Sequence, residues 1–127
     1  MTPKSPKSPK SPTFNYKKLI VYQTSTKFLA LTFQLISQLP HGYGFLTDQL
    51  RRAALSISLN IAEGSGKFGK KEQARFYLIA RGSANECSTI FDVLETGQLL
   101  KKEDCEKVQE ILYEIVCMLS KMAFLSP

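Results

Sequence analysis

Tryptophan is absent from this sequence, histidine occurs once and cysteine only three times. Cys87, Cys105 and Cys117 have no paired spacing, so the sequence predicts neither a disulfide framework nor a zinc site. Such cysteines are typical of a reducing compartment. The single histidine, His41, lies in a loop, and no metal-ligand set or activated nucleophile can be assembled around it. We therefore expect a protein without enzyme activity, metal or cofactor.

The sequence also predicts neither a leader segment nor a membrane-spanning run. The first residues are rich in proline, lysine and serine, without the apolar segment that precedes a secretory cleavage site. Residues 28–47 carry no charge, but they contain glutamines, a proline and two glycines, which a membrane-spanning helix disfavours. These features predict a cytoplasmic protein that does not enter the membrane.

Negative charge is scarce in the first two thirds of the chain. Residues 1–81 hold 13 Lys and Arg against 3 Asp and Glu, a net of +10, whereas residues 82–127 hold 4 against 8, a net of −4. The whole chain has a formal charge of +6. Three interpretations stay open: a protein that is simply basic, a basic face for nucleic acid, or a charged contact between subunits.

Residues 1–13 form a Ser-Pro-Lys repeat with proline at every third position. This spacing matches the three-residue turn of polyproline II and would place Lys4, Lys7 and Lys10 along one edge. Because the segment has no apolar residue after its first, it cannot join a core. We predict a disordered basic tail, either solvated or acting as a cationic arm on phosphates, followed by one domain over residues 14–127.

Four segments have apolar residues at helical spacing, and none alternates as a strand does. They cover about Tyr16 to Leu39, Phe45 to Glu63, Lys71 to Gln98, and the chain from near Glu103 onward. Short loops join them, so the pattern predicts an all-α protein, an antiparallel up-down-up-down four-helix bundle. The seam of the first helix is predicted at Leu19, Tyr22, Thr26, Leu29, Phe33 and Ile36.

The second predicted helix has two apolar faces. The first face comprises Leu46, Leu50, Ala53, Ala54, Ile57 and Ile61. A second patch, Leu55, Leu59 and Ala62, lies roughly opposite. One bundle should not expose so much apolar surface, and we therefore expect the second patch to contact another copy of the chain.

A polar stripe borders the first face of the second helix. If the second and third helices pair antiparallel, the residue numbers of facing residues add up to the same value along the whole interface. One such register pairs the opposite charges Arg52–Glu86 and Glu63–Arg75, and the same register places Ser56 beside Gly82. Small residues at positions 82 and 83 would let the helices approach closely. The predicted polar lock, a structural feature rather than a binding site, comprises Arg52, Ser56, Asn60, Glu63, Arg75, Ser83 and Glu86.

The glycine-rich segment after the second helix matches the sequence patterns of two phosphate-binding motifs, one of them only in part. Gly64–Gly69 fits the pattern G-x-G-x-x-G, and residues 64–70 fit most of a P-loop. Both sites require a strand before the glycines, whereas here a helix precedes them. A P-loop also needs Ser or Thr where this chain has Lys71. We interpret the segment as an interhelical turn with a basic patch: Lys67, Lys70, Lys71 and Arg75.

The second helix reads Asp48-Gln49-Leu50-Arg51-Arg52-Ala53-Ala54, then Ser56-Ile57 and Asn60-Ile61-Ala62-Glu63-Gly64. The third carries Phe76, Ile79-Ala80, Gly82-Ser83 and Glu86. In this order and spacing they resemble the signature of the four-helix bundle protein family, also named after the intervening sequence of 23S ribosomal RNA. The resemblance covers about residues 14–125. It implies an up-down-up-down bundle that assembles as a ring-like homopentamer, with no catalytic residues.

The resemblance further implies kinship with the accessory proteins of diversity-generating retroelements, which are basic pentamers that bind nucleic acid and a reverse transcriptase. A reverse transcriptase is therefore a candidate partner beside the chain itself. Our leading hypothesis is a non-enzymatic, self-assembling bundle that binds nucleic acid, RNA in the first place, with little sequence specificity. The alternative is a protein-interaction scaffold without direct nucleic-acid binding. The candidate phosphate contacts are Lys4, Lys7, Lys10, Lys17, Lys18, Lys67, Lys70 and Lys71.

Overall fold

A computed structural model describes residues 12–124 and confirms the all-α prediction. A one-turn 3₁₀ helix is followed by four long helices: Asn15–Lys18, then α1 (Ile20–Ile36), α2 (Gly44–Ser65), α3 (Lys70–Thr96) and α4 (Lys102–Phe124). In the described part of the chain, no helix combines the length and apolar character that a membrane crossing needs. The predicted tail, residues 1–13, lies outside the described residues except for its last two.

The helices form a closed antiparallel bundle in which α1 and α3 each pack against α2 and α4. Hydrogen bonds between α3 and α4 show the chain direction. Arg81 Nη1 donates to Ser120 Oγ at 3.2 Å, and Gln109 Nε2 donates to the Ser88 carbonyl oxygen at 3.0 Å. Residue numbers therefore rise along α3 while they fall along the facing part of α4.

Sharp turns set the ends of the helices. After α3, the Leu99 N–H donates to the Leu94 carbonyl and the Gln98 N–H donates to the Glu95 carbonyl, both at 2.9 Å. This is the bonding of a Schellman motif, in which Gln98 takes the left-handed conformation with φ of 60°. In the first turn of α4, Glu103 and Asp104 complement the helix dipole.

The buried face of α1 differs from the predicted seam. It consists of Val21, Ser25, Phe28, Thr32, Leu35 and Ile36. Only Ile36 belongs to the predicted seam, and Phe33 is 48 % exposed. The prediction was wrong because α1 has two neighbouring apolar strips, one residue and therefore about 100° apart. Phe28 decides between them, since its ring is fully buried and meets the Phe91 ring of α3 edge-on, with centroids 6.1 Å apart.

The first apolar face of α2 is confirmed. Its buried members are Leu50, Ala53, Ala54, Ile57 and Ile61, whereas Leu46 is half-buried. These residues and the buried face of α3 form the centre of the core, as expected for an amphipathic helix with one face in a bundle.

Gly64, rather than Gly82, permits the close approach of α2 and α3. A Cβ built on Gly64 would lie 2.9 Å from Tyr77 Cε1 and 3.0 Å from Phe76 Cβ. A Cβ on Gly82 would meet nothing within 4 Å. The prediction for Gly82 was wrong because this residue faces solvent on the outer side of α3.

These two glycines offer a matched test of the packing. Gly64→Ala should lower the free energy of unfolding by roughly 1–3 kcal/mol, because the added methyl group overpacks the contact with α3. Gly82→Ala should raise it by roughly 0.5–1 kcal/mol, because alanine favours an exposed helix interior. Urea denaturation at equal protein concentration measures both. Equal effects of the two substitutions would contradict the assigned contact.

Candidate nucleic-acid interface

The starts of α1 and α3 and the ends of α2 and α4 meet at one end of the bundle. The 3₁₀ helix lies against the last turns of α2, where Tyr16, Leu59 and Glu63 help to line a shallow pocket of about 420 Å³. This contact brings the lysines of the 3₁₀ helix to the same end as the loop between α2 and α3. We call this region the basic end and define it as Lys17, Lys18, Lys67, Lys70, Lys71, Arg75 and Lys121.

Two cations of the basic end are partly neutralised by neighbours. Lys67 Nζ lies 3.4 Å from the Glu63 carboxylate, and Arg75 Nε lies 3.1 Å from that of Glu72. Both also cover the ring of Phe76, at 5.2 Å and 4.8 Å from its centroid. They therefore stabilise the local fold as well as contributing positive charge.

Four other lysines of the basic end, two on the 3₁₀ helix and two at the start of α3, have no carboxylate partner among the described residues. Lys17, Lys18, Lys70 and Lys71 are exposed, and within residues 12–124 none of them makes an ion pair. The structure therefore brings together five of the eight predicted phosphate contacts. Lys4, Lys7 and Lys10 lie outside the described residues.

Two glutamines hold the backbone that carries these lysines. Gln23 Nε2 donates to the Lys17 carbonyl oxygen at 2.9 Å, and Gln73 Nε2 donates to the Lys67 carbonyl oxygen at 3.0 Å. In each case the glutamine lies in the first turn or turns of the following long helix. The 3₁₀ helix and the interhelical loop are thus fixed to α1 and α3, and their lysine side chains extend from a defined backbone.

Negative charge collects elsewhere, along α3 and α4 away from the basic end. An acidic groove of about 540 Å³ is lined by Glu95, Glu106, Glu110 and Glu114 around Tyr113, which is 71 % exposed. The basic end and this acidic groove therefore lie on different parts of the bundle, and an anion that approaches the basic end meets exposed lysines.

The predicted polar lock contains hydrogen bonds, but its charged pairs were predicted wrongly. Ser83 Oγ donates to Ser56 Oγ at 2.9 Å, and Asn60 Nδ2 donates to the same oxygen at 3.0 Å. Glu86 accepts a hydrogen bond from Gln49 Nε2 rather than from Arg52. Arg52 is exposed and has no ion-pair partner within residues 12–124.

The second charged pair fails for the same reason. Glu63 and Arg75 each take a partner three or four residues away on the same helix or the adjoining loop, Lys67 and Glu72 respectively. A local partner needs less ordering of two long side chains than a partner across the interface. The short serine side chains, by contrast, reach each other only because the helix backbones are close.

Sequence reasoning missed a second set of interhelical hydrogen bonds. Ser25 and Ser58 are joined through their hydroxyl groups at 2.8 Å between α1 and α2, in the buried interior. Ser88 Oγ donates to Gln109 Oε1 at 2.6 Å between α3 and α4. These bonds could have been predicted from a serine that shares a helix face with buried apolar residues. That prediction requires the correct buried face of α1, which the sequence pattern had not identified.

An apolar surface covers the outer side of α1 and α2. Leu55 and Leu59 are 46 % and 58 % exposed, and Phe33 of α1 is 48 % exposed. The Ser25–Ser58 hydrogen bond sets a register that places Leu29 level with Leu55. We define the α1–α2 apolar face as Tyr22, Leu29, Phe33, Leu55, Leu59 and Ala62.

The buried thiols are not poised for chemistry. Burial, followed by the nearby Glu86 charge, raises the pKa of the Cys87 thiol to about 12, so this thiol stays protonated at neutral pH. Burial likewise raises the pKa of Cys105. In the part of the chain described, no three His, Cys, Asp or Glu residues lie together as ligands for a metal ion.

A family model described as 23S rRNA-intervening sequence protein matches residues 17–121. The chain belongs to this family. A crystal structure of a Bacteroides thetaiotaomicron protein, described as a protein of unknown function from the S23 ribosomal protein family, has the same fold. Its TM-score is 0.77 at 21 % identity, and the match covers 83 % of this chain and 99 % of that chain. A comparison with curated proteins gave no match.

The family match spans all four helices and stops near the end of α4. It includes Lys17, Lys18 and the loop between α2 and α3, but not Lys4, Lys7 and Lys10. The described basic end therefore lies within the match to the family model, and the Ser-Pro-Lys segment lies outside it.

The hydrogen-bonded serines of the polar lock can be tested by a double-mutant cycle. The losses from Ser56→Ala and Ser83→Ala should be non-additive by roughly 0.5–1.5 kcal/mol, because each removes the same hydrogen bond. Arg52→Ala should change stability by less than about 0.5 kcal/mol. As the matched control, Arg52→Ala and Glu86→Ala should be additive. Coupling in the control pair, measured by urea denaturation, would restore the salt bridge predicted from sequence.

Proposed function

We propose that this protein binds nucleic acid through the basic end, without catalysing a reaction. The observation that supports this most strongly is a set of four exposed lysines that make no ion pair within residues 12–124 and lie on two anchored segments, Lys17 and Lys18 on the 3₁₀ helix and Lys70 and Lys71 at the start of α3. Phosphate contacts of this kind give affinity and salt dependence but little sequence preference. RNA is the first ligand to test.

We further propose that the α1–α2 apolar face docks a second copy of the same chain. Its exposed leucines and phenylalanine exceed the scattered apolar residues of an ordinary monomer surface. The resemblance of the sequence to ring-forming bundles favours a closed ring, with a pentamer as the expected stoichiometry. A cyclic ring repeats the basic end once per subunit, so weak phosphate contacts would combine as avidity.

The acidic groove supports the alternative function, a protein-interaction scaffold. Tyr113 is an exposed aromatic side chain among four carboxylates, which is a suitable surface for a basic protein segment. A reverse transcriptase is one candidate partner, as the resemblance implies. The two functions differ in the role of the lysines of the basic end. Only in nucleic-acid binding do these lysines contact phosphates and release the counterions bound there.

The lysines can be tested by charge removal at matched sites. Lys70→Gln with Lys71→Gln should weaken binding to single-stranded RNA and reduce the slope of log K against log salt by up to roughly 0.7 per lost contact. Lys17→Gln with Lys18→Gln should act in the same way. Fluorescence anisotropy over a salt series measures both the affinity and the slope.

The matched control removes the same charge at the opposite end of the bundle, through Lys101→Gln with Lys107→Gln. It should leave the slope unchanged, because Lys101 directly precedes α4 and Lys107 lies in its second turn, both away from the basic end. Deletion of residues 1–13 tests Lys4, Lys7 and Lys10 as a separate arm. Equal losses at both ends, or no binding by the intact protein at low salt, would refute the proposal.

Assembly can be tested independently of nucleic acid. Leu59→Glu should dissociate the oligomer while helicity is retained, because a buried unpaired carboxylate is costly in an apolar interface. Phe45→Glu is the control, since Phe45 is 69 % exposed but lies at the opposite end of α2. Light scattering gives the mass and circular dichroism the helicity. A monomeric wild-type protein at micromolar concentration would contradict the proposed assembly.

A further inference from the structure

Phe68 lies fully in water at the tip of the loop between α2 and α3. Its exposure is 107 % of the reference value, the highest among the large apolar residues of the described chain. Gly66 and Gly69 flank the Lys67-Phe68 pair, so no bulky neighbour on either side shields the ring. An aromatic ring in this position contributes nothing to the core, and its faces are accessible to a ligand.

The loop presents this ring on a fixed backbone. The Lys67 N–H donates to the Gly64 carbonyl oxygen at 3.1 Å, and the Lys67 carbonyl oxygen accepts from Gln73 Nε2 at 3.0 Å. On the other side, the Gly69 carbonyl oxygen accepts from the Gln73 N–H at 3.0 Å. The backbone on both sides of Phe68 is thus hydrogen-bonded. Ligand binding therefore costs little conformational entropy of the loop backbone.

Lysines precede and follow Phe68 in the sequence, but none of the described cations lies over its ring. Lys67 precedes Phe68, while Lys70 and Lys71 follow within three residues. Lys67 is turned toward the Phe76 ring, 5.2 Å from its centroid. Among residues 12–124, neither a cation nor another aromatic ring stacks on Phe68. Both faces of the Phe68 ring are therefore open, beside lysines that can hold phosphates.

We propose that Phe68 stacks on an unpaired base and thereby directs the basic end to single-stranded nucleic acid. The proposal rests on the function proposed above, because the lysines supply the phosphate contacts. Exposed aromatic rings between basic residues bind single strands of any sequence, since every base has a flat face. In a duplex these faces are occupied by neighbouring bases, so the ring gains no partner there.

A protein partner suits this loop less well. One isolated ring among lysines provides far less apolar area than a stable protein interface, which buries about 800 Å² on each partner. The α1–α2 apolar face already offers a broader surface for another copy. RNA and DNA single strands share the chemistry that Phe68 recognises, and the experiment includes both.

The test measures binding of the full chain to one short fluorescein-labelled sequence as single-stranded RNA, as single-stranded DNA and as the corresponding duplexes. Phe68→Ala should weaken binding to both single strands by roughly 5- to 150-fold, equivalent to about 1–3 kcal/mol of stacking. Duplex affinity should stay the same. The slope of log K against log salt should also stay the same, because no charge is removed, in contrast to the lysine variants.

Two further variants make the outcome specific. Phe68→Trp should keep or strengthen single-strand binding and should quench the fluorescence of 2-aminopurine placed in the oligonucleotide, as direct stacking does. Phe45→Ala, which removes an exposed phenylalanine from the opposite end, should change nothing. The melting temperature and the mass of the Phe68→Ala variant should equal those of the wild type.

Each contrary result has a distinct meaning. Unchanged single-strand binding by Phe68→Ala overturns the stacking role while leaving the lysine interface intact. A reduced mass of the same variant overturns it as well and makes Phe68 a contact between subunits. If the wild type binds neither single strands nor duplexes at low salt, the proposed function fails, and this inference fails with it.

Discussion

The contact of Gly64 with α3 determines where the lysines of the loop between α2 and α3 and of the first turn of α3 lie. A side chain at position 64 would collide with Tyr77 and Phe76, whose nearest atoms are 2.9 Å and 3.0 Å from a Cβ built there. Glycine therefore lets the end of α2 lie directly on the start of α3. The connecting loop is short as a consequence, and Lys67, Lys70 and Lys71 are held next to the bundle end rather than on a long excursion.

Phe76 links this contact to the electrostatics. Its Cβ lies against Gly64, while the side chains of Lys67 and Arg75 both lie over its ring. These two cations are occupied by the ring and by neighbouring carboxylates. Lys70 and Lys71 have no such partner within residues 12–124, so packing at Gly64 indirectly separates the cations held by the fold from those left exposed to solvent.

Polarity of the whole bundle follows from its topology. An antiparallel arrangement places the 3₁₀ helix, the α2–α3 loop and the last turn of α4 at one end, although they are distant in sequence. Acidic residues of α3 and α4 then line a groove away from that end. Under the proposed function, this charge distribution would guide an anionic ligand toward the basic end and reduce binding along the acidic side.

The sequence predicted the number and order of the helices and the buried face of α2, because Leu50, Ile57 and Ile61 leave only one consistent face. It predicted the face of α1 wrongly, because two apolar strips compete and only the partner ring, Phe91, decides between them. The charged pairs of Arg52 and Arg75 also could not be predicted, since nearby side chains compete with partners across the helix interface. The exposure of Phe68 depends on the path of the loop, which no periodicity describes.

Amide hydrogen exchange with and without single-stranded RNA tests the central claim, that the basic end is the nucleic-acid interface, most directly. The account predicts slower exchange in the 3₁₀ helix and from the α2–α3 loop through the first turns of α3. It predicts unchanged exchange along the acidic stretch of α4 that includes Tyr113. Protection confined to α4, or no protection at a concentration of RNA that saturates binding, would contradict the account.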